Sequence, residues 1–139
     1  MSLRFLLDTN IISEPMRHVP NARVMAHLRS RQKELVIATL VWHELLYGCF
    51  RLPPSARRTA IEDYLEQTVA LLPMFGYDEV AAEWHAHERA RLVGLGKSTP
   101  FVDGQIAAIA ATNGLTLVTA NTADFAVFEG LTLVDWTKA

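Results

Sequence analysis

The chain has 139 residues, the size of one ordinary domain, and half of them are hydrophobic, which is enough for a core. Its single cysteine, Cys49, excludes an intrachain disulfide and a zinc site built from cysteines, and no apolar stretch approaches the roughly 20 residues of a membrane helix. The net charge of −2 argues against a protein that coats nucleic acid generally. We therefore expect one domain spanning residues 1–139, located in the cytoplasm and not in a membrane.

Five short apolar runs, at 3–7, 35–38, 71–75, 115–119 and 131–136, are predicted as strands. The third contains Pro73, which predicts a weak or edge strand because proline has no N–H to donate to a sheet. Caps and helical spacing between these runs predict a short turn at 10–16, helices at 21–30, 39–51, 78–95 and 99–112, and a loop or single turn at 121–125. A further helix is capped by Ser55, and its apolar stripe runs from Ile61 to Leu72.

Strands and helices therefore alternate along the chain, and each strand is continuously apolar. Strands of this kind are typical of a parallel sheet that is covered by helices on both faces. We predict an α/β fold of three layers, α/β/α, with a central, mostly parallel sheet of four to five strands. Ligands of such sheets bind at the carboxyl ends of the strands, and Asp8 follows the first strand directly.

Charge is unevenly distributed along the sequence. Residues 17–58 contain eight cations against two acids, whereas residues 59–88 contain seven acids and no cation. Such segregation can build one basic face for a polyanion, but it is equally compatible with two solvated helix faces of opposite sign.

Three carboxylates, Asp8, Glu44 and Asp103, lie among apolar residues. On their predicted helices, Glu44 and Asp103 have no charged neighbour three or four residues away. A buried carboxylate must be paired, hydrogen-bonded or bound to a metal, and carboxylates that are brought together repel one another. A divalent cation would satisfy all three, and oxygen ligands select Mg²⁺ or Mn²⁺ over zinc. The alternative is a separate helix cap or a distant arginine for each acid.

A further group of oxygen donors follows the fourth predicted strand. Thr119, Asn121 and Asp124 lie at its carboxyl end, near Asp8 if the first and fourth strands are neighbours. A turn or a helix cap explains Asn121 or Asp124 equally well.

These segments together resemble PIN-domain ribonucleases, especially VapC-type toxins of bacterial toxin–antitoxin pairs. Residues 6–14 resemble the family's opening motif, Glu44 its second acid and Asp103 its third, and residues 119–125 resemble its final motif. The resemblance covers essentially the whole chain, with the motifs in the family's order. The sequence departs from the family at Asn121, where an aspartate is common. The amide can ligate weakly or hold a water, or Asp124 can substitute for the aspartate, which leaves a second metal open.

The resemblance implies metal-dependent endonucleolytic cleavage of RNA, with Mg²⁺ or Mn²⁺ held by the three acids. It also implies a homodimer and a cognate antitoxin that docks a segment near the active site. Three polar residues are candidates for orienting the carboxylates: Thr9, Asn10 and Thr119. Three cations from the basic segment are candidates for contacting RNA phosphates: Arg17, Arg23 and Arg51.

Several side chains have a second interpretation. Trp42 and Trp84 can stack on bases, although core packing is the expected role of Trp42. Cys49 is expected to be a buried packing residue, and His85 and His87 are expected to be exposed or packed rather than ligands.

Two other functions compete with the nuclease. Asn121 motivates a catalytically weak PIN-like module that binds RNA or protein. A receiver-like signalling domain with Asp8 as the phosphorylated residue would need a lysine after a late strand, and Lys97 and Lys138 are badly placed for that role.

Overall fold

A computed structural model describes residues 2–139. Its strands form one five-stranded sheet in the order β3–β2–β1–β4–β5, and every neighbouring pair is parallel. They are β1 Phe5–Leu7, β2 Leu35–Ala38, β3 Met74–Phe75, β4 Thr116–Val118 and β5 Thr132–Val134. The predicted fold class is confirmed, and the short strand after Pro73 lies at an edge of the sheet, as the proline indicates.

Within residues 2–139, seven α-helices surround this sheet. They are α1 Thr9–Ile12, α2 Ala22–Ser30, α3 Thr39–Phe50, α4 Ala56–Gln67, α5 Glu79–Gly94, α6 Phe101–Thr112 and α7 Thr122–Phe125. Side chains of Asn21, Ser55 and Asp78 cap α2, α4 and α5 by accepting from backbone N–H groups. Across residues 2–139 no helix has both the length and the apolar character needed to cross a membrane.

Several predicted boundaries shift by a few residues. Strands β1, β4 and β5 are shorter than the apolar runs that contain them, and Leu115, for example, is buried but lies just before β4. The N–H of Leu115 bonds to the carbonyl of Ala110 at the end of α6. Thr39 is the first residue of α3 rather than its cap, since Ala38 takes the extended cap conformation. The helix after Ser55 ends at Gln67, so the last part of the predicted stripe, from Thr68 to Leu72, lies beyond the helix.

The core lies on both sides of β1, the central strand. Leu6 and Leu7 point to opposite faces of the sheet, and neither side chain is exposed to solvent, so both faces are covered. The chain adds β2 and β3 on one side of β1 and then β4 and β5 on the other, which makes the β1–β4 boundary the topological switch point. Leu7 pairs with Val118, so Asp8 and Thr119 leave the sheet side by side.

Candidate active site

Asp8 is held at the carboxyl end of β1 by two hydrogen bonds. Its Oδ1 accepts from the backbone N–H of Thr9 at 2.8 Å, which caps α1, and its Oδ2 accepts from the Thr119 hydroxyl at 2.8 Å. The side chain is buried. Burial raises the pKa of Asp8 and the negative charge of Glu44 adds to that effect, while the hydrogen bonds from Thr119 and Thr9 oppose it. Asp8 therefore caps α1 and is also a carboxylate whose pKa is raised by the negative charge of Glu44.

The turn after β4 is fastened to the turn after β1. Thr119, which is completely buried, donates to Asp8 and accepts from the backbone N–H of Asn121 at 3.0 Å. From the β1 side, the Asn10 side-chain oxygen accepts from the N–H of Ala120 at 3.2 Å. These bonds fix the backbone at Asn121 relative to Asp8.

Glu44 lies on the solvent-facing side of α3, and the expectation of a buried carboxylate is wrong at this position. Its Oε2 accepts from the hydroxyl of Thr9 at 3.1 Å. The apolar neighbours of Glu44 in sequence indicated burial because α3 is apolar on more than one face. Tyr47 and Phe50 on the same helix are more than half exposed.

Asp103 lies in the first turn of α6 and is half-buried. Burial raises the pKa of Asp103, and the negative charges of Asp8, Asp124 and Glu44 raise it further, in that order. Four carboxylates from four segments of the chain therefore repel one another at this edge of the sheet.

A groove of about 590 Å³ brings these segments together. Its walls include the three predicted acids together with Thr9, Asn10 and Asn121. The remaining lining residues are Leu40, His43, Tyr47, Val102, Ile106 and Phe125. Asp124 is exposed and lies outside this lining, although its charge reaches Asp103. The groove contains carboxylate, hydroxyl and amide oxygens and no lysine or arginine.

The donor chemistry of the groove fits a hard divalent cation, because its acids repel one another and have no cationic partner. Among the described residues, neither Asp8, Glu44 nor Asp103 forms an ion pair with lysine or arginine. Their spacing is looser than that of an assembled site: over residues 2–139 no three Asp, Glu, His or Cys side chains stand close enough to hold a metal together. Mg²⁺ keeps several waters in proteins, so a few carboxylates around water meet its needs.

None of the three predicted RNA-contacting arginines lines the groove. Arg17 donates to Glu14 at 3.0 Å, and Glu14 is a buried acid that also accepts from the backbone N–H of Asn21 at 2.6 Å. Arg23 is exposed on α2, and Arg51 lies over the ring of Tyr47, 5.2 Å from its centroid.

The wall behind Asp103 depends on a close approach that sequence reasoning missed. A Cβ at Gly104 would lie 2.1 Å from Nε2 of His85, so only glycine allows α5 and α6 this contact. His85 is buried, and its Nδ1 shares a hydrogen bond of 2.9 Å with the Tyr77 hydroxyl. Glycine in the interior of a predicted helix was the available signal. His85 is thus packed rather than a ligand, and His87 is exposed, as expected.

Fold and site together define a class: a doubly wound, parallel α/β domain with an acidic, oxygen-lined groove at its topological switch point. The chain belongs to the PIN domain family, whose model matches residues 5–131.

Two relatives with similar sequences are named as a toxin and an endonuclease. The chain is 37% identical over 135 residues to toxin FitB of Neisseria gonorrhoeae, a match that covers 89% of this chain and 96% of that protein. It is 32% identical over 134 residues to the tRNA(fMet)-specific endonuclease VapC of Shigella flexneri, with 96% and 98% covered. The crystal structure of FitAcB from Neisseria gonorrhoeae superposes with a TM-score of 0.88 at 31% identity, covering 97% of this chain and 99% of that one.

Proposed function

We propose that this protein is a metal-dependent endoribonuclease and the toxin of a toxin–antitoxin pair, acting in the cytoplasm. The observation that carries the proposal is the convergence of Asp8, Glu44 and Asp103 on one groove in a PIN-domain chain. The names of the relatives, toxin FitB and endonuclease VapC, support the same activity.

The three acids are the proposed ligands of Mg²⁺ or Mn²⁺. Such an ion, when bound, lowers the pKa of a coordinated water and stabilises charge on the leaving oxygen of a phosphodiester. The protein's own contribution is to hold the carboxylates: Thr119 and the N–H of Thr9 fix both oxygens of Asp8, and the Thr9 hydroxyl fixes one oxygen of Glu44. Each bonded oxygen keeps a lone pair for a metal or a metal-bound water.

Asn121 and Asp124 are proposed to act at the margin of the site. Asn121 lines the groove and can bind a water or a phosphate oxygen through its amide. Asp124 lies outside the groove, and its proposed contribution is to the field at Asp103. Because an amide replaces the aspartate common in the family, the competing proposal is a catalytically weak module that binds RNA through the same groove.

The proposed partners are an RNA substrate, a cognate antitoxin protein and a second copy of the chain. A receiver-like function finds less support, since the groove lining contains no lysine.

The decisive measurement is RNA cleavage with Mg²⁺ or Mn²⁺ against EDTA, for the wild type and for Asp8→Asn. We expect metal-dependent cleavage that falls at least about a hundredfold in the variant, because a ligand to the reacting centre is lost. Asp63→Asn is the matched control, since Asp63 is an exposed acid on α4 away from the groove. Manganese binding, followed by its paramagnetic signal, is the readout that does not depend on turnover.

The outcomes separate the proposals. Firm RNA binding and manganese binding without cleavage would favour the binding module. Equal cleavage by wild type and Asp8→Asn would remove the groove acids from the mechanism, and phosphorylation of Asp8 by a small phosphodonor would favour the receiver-like function.

A further inference from the structure

Helix α3 presents a row of flat side chains that begins inside the groove and ends outside it. His43, Tyr47 and Arg51 are spaced four residues apart, so they share one face of the helix. His43 and Tyr47 line the groove beside the acids, and Arg51 lies one turn beyond them. We refer to these three residues as the α3 ladder. By helix geometry it extends about 12 Å along the axis.

The members of the α3 ladder are arranged with their planes aligned. The rings of His43 and Tyr47 are nearly parallel, with an interplanar angle of 13° and centroids 6.3 Å apart. The guanidinium of Arg51 lies over the ring of Tyr47, with its Cζ 5.2 Å from the ring centroid. All three are exposed, and Tyr47 keeps 58% of its surface in water.

An exposed tyrosine held between two planar neighbours differs from the tryptophans that the sequence suggested for stacking. Trp42 and Trp84 are half-buried and pack against the core, and Trp84 lies 6.1 Å from Phe128 between ring centroids. Their faces are used in folding. The side chains of the α3 ladder are exposed to solvent, and those of His43 and Tyr47 also line the groove.

We propose that the α3 ladder binds the bases of single-stranded RNA beside the scissile phosphate, an inference that rests on the proposed function. Stacking on aromatic faces supplies affinity that does not depend on charge. RNA binding in this groove requires a source of affinity other than charge, because the acids of the groove repel a polyanion and its lining contains no lysine or arginine. Arg51, at the outer end of the ladder, adds an exposed cation beyond the groove lining.

The composition of this face favours RNA over a second copy of the chain. A two-fold contact brings the same patch together with itself. Two α3 ladders in contact would bring two Arg51 side chains into one interface, and the ladder itself contains no acid to pair with them. An aromatic row that ends in a guanidinium matches alternating bases and phosphates instead.

The test uses the full-length protein and a fluorescein-labelled single-stranded RNA of mixed sequence that the wild type cleaves. Binding is measured by anisotropy in EDTA, so that the substrate stays intact. The variant is Tyr47→Leu, which keeps an apolar side chain but removes the flat face, and Tyr47→Phe is the conservative rescue. Phe50→Leu, at an exposed aromatic on the same helix outside the groove lining, is the matched control.

We expect Tyr47→Leu to weaken binding about tenfold, and Tyr47→Phe and Phe50→Leu to bind as the wild type does. A series of RNAs with one abasic nucleotide locates the stacked base. At the responding position the wild type should lose about tenfold, and Tyr47→Leu should lose nothing further, because the same contact is already absent.

Three outcomes would overturn the inference while leaving the proposed function intact. The first is unchanged RNA binding by Tyr47→Leu. The second is that Tyr47→Leu weakens binding by the same factor for intact RNA and for every abasic RNA, and the third is that the oligomeric mass of Tyr47→Leu falls in sedimentation. The last would assign the face to contact between copies. A wild type that neither binds nor cleaves RNA would instead end the proposed function itself.

Discussion

Two sets of carboxylates in this protein lie in opposite electrostatic situations. On α5, Glu88 accepts two hydrogen bonds from Arg91, at 2.8 and 2.9 Å, and a third from the backbone N–H of Glu129 at 2.7 Å. The bonds from Arg91 are the main reason that the pKa of Glu88 lies below its usual range. In the groove, burial raises the pKa of both Asp8 and Asp103, and neighbouring negative charges raise each further.

The difference separates acids that support the fold from acids that the fold tolerates. Arg91 also donates to the carbonyl of Val127 at 2.8 Å, so the Glu88–Arg91 pair fastens α5 to the segment between α7 and β5. The groove acids receive no such compensation from cations. Charge that is kept where it costs stability is typical of a functional site. The contrast predicts that the two sets respond differently to neutralisation.

The largest expected effect is the loss of activity in Asp103→Asn. We expect RNA cleavage to fall at least about a hundredfold, because a proposed metal ligand becomes a neutral amide. Stability to urea in EDTA should stay the same or increase, since the substitution removes a repelled, half-buried charge. A clear loss of stability without loss of cleavage would place Asp103 with the structural acids.

A smaller effect of opposite kind is expected for Glu88→Gln. The amide can accept fewer of the three hydrogen bonds and cannot pair with the guanidinium, so we expect a loss of about 2 kcal/mol in the free energy of unfolding. Cleavage at a temperature where the variant is folded should be close to that of the wild type. Urea unfolding monitored by circular dichroism measures the loss of stability, and the RNA cleavage assay measures the activity. A Glu88→Gln protein of full stability would contradict the structural role.

The smallest expected effect is the pH dependence of the stability differences, measured in EDTA, between the wild type and the Glu88→Gln and Asp103→Asn variants. The pKa of Glu88 is lowered from 4.5, so its stabilisation is present above that pH and is lost as the pH falls through the folded-state pKa. The pKa of Asp103 is raised from 3.8, so its ionisation costs stability above the folded-state pKa and costs nothing below 3.8. The deficit of Glu88→Gln should persist down to about pH 4.5 and shrink only below it, whereas any gain of Asp103→Asn should shrink as the pH falls through the raised folded-state pKa of Asp103 towards 3.8. Urea titrations at several pH values check this, and a gain for Asp103→Asn that grows in acid would be inconsistent with it.

The sequence by itself determined the layers of the fold and indicated three acids that line one groove in the structure. Continuous apolar strands, such as Phe5–Leu7, can be buried only between helices, and this requirement predicts the parallel sheet. Acids without cationic neighbours at helical spacing led to Asp8, Glu44 and Asp103, because local pairing is a property that a sequence displays. The segment that begins at Thr119 was expected near Asp8 only if the first and fourth strands are neighbours, and the pairing of β1 with β4 in the structure meets that condition.

Only the tertiary structure decided how each side chain is used. Glu44 is exposed, although its sequence neighbours are apolar, because burial depends on what lies across from a helix and not on its composition. The contact of the His85 ring with the backbone of Gly104 joins α5 to α6, so it depends on how these two helices pack. The alignment of His43 and Tyr47 likewise follows from rotamers that packing selects. Periodicity in the sequence reflects interactions between residues that are close along the chain. The contacts described here depend on distant residues or on side-chain rotamers, and they are fixed only when the helices and strands pack together.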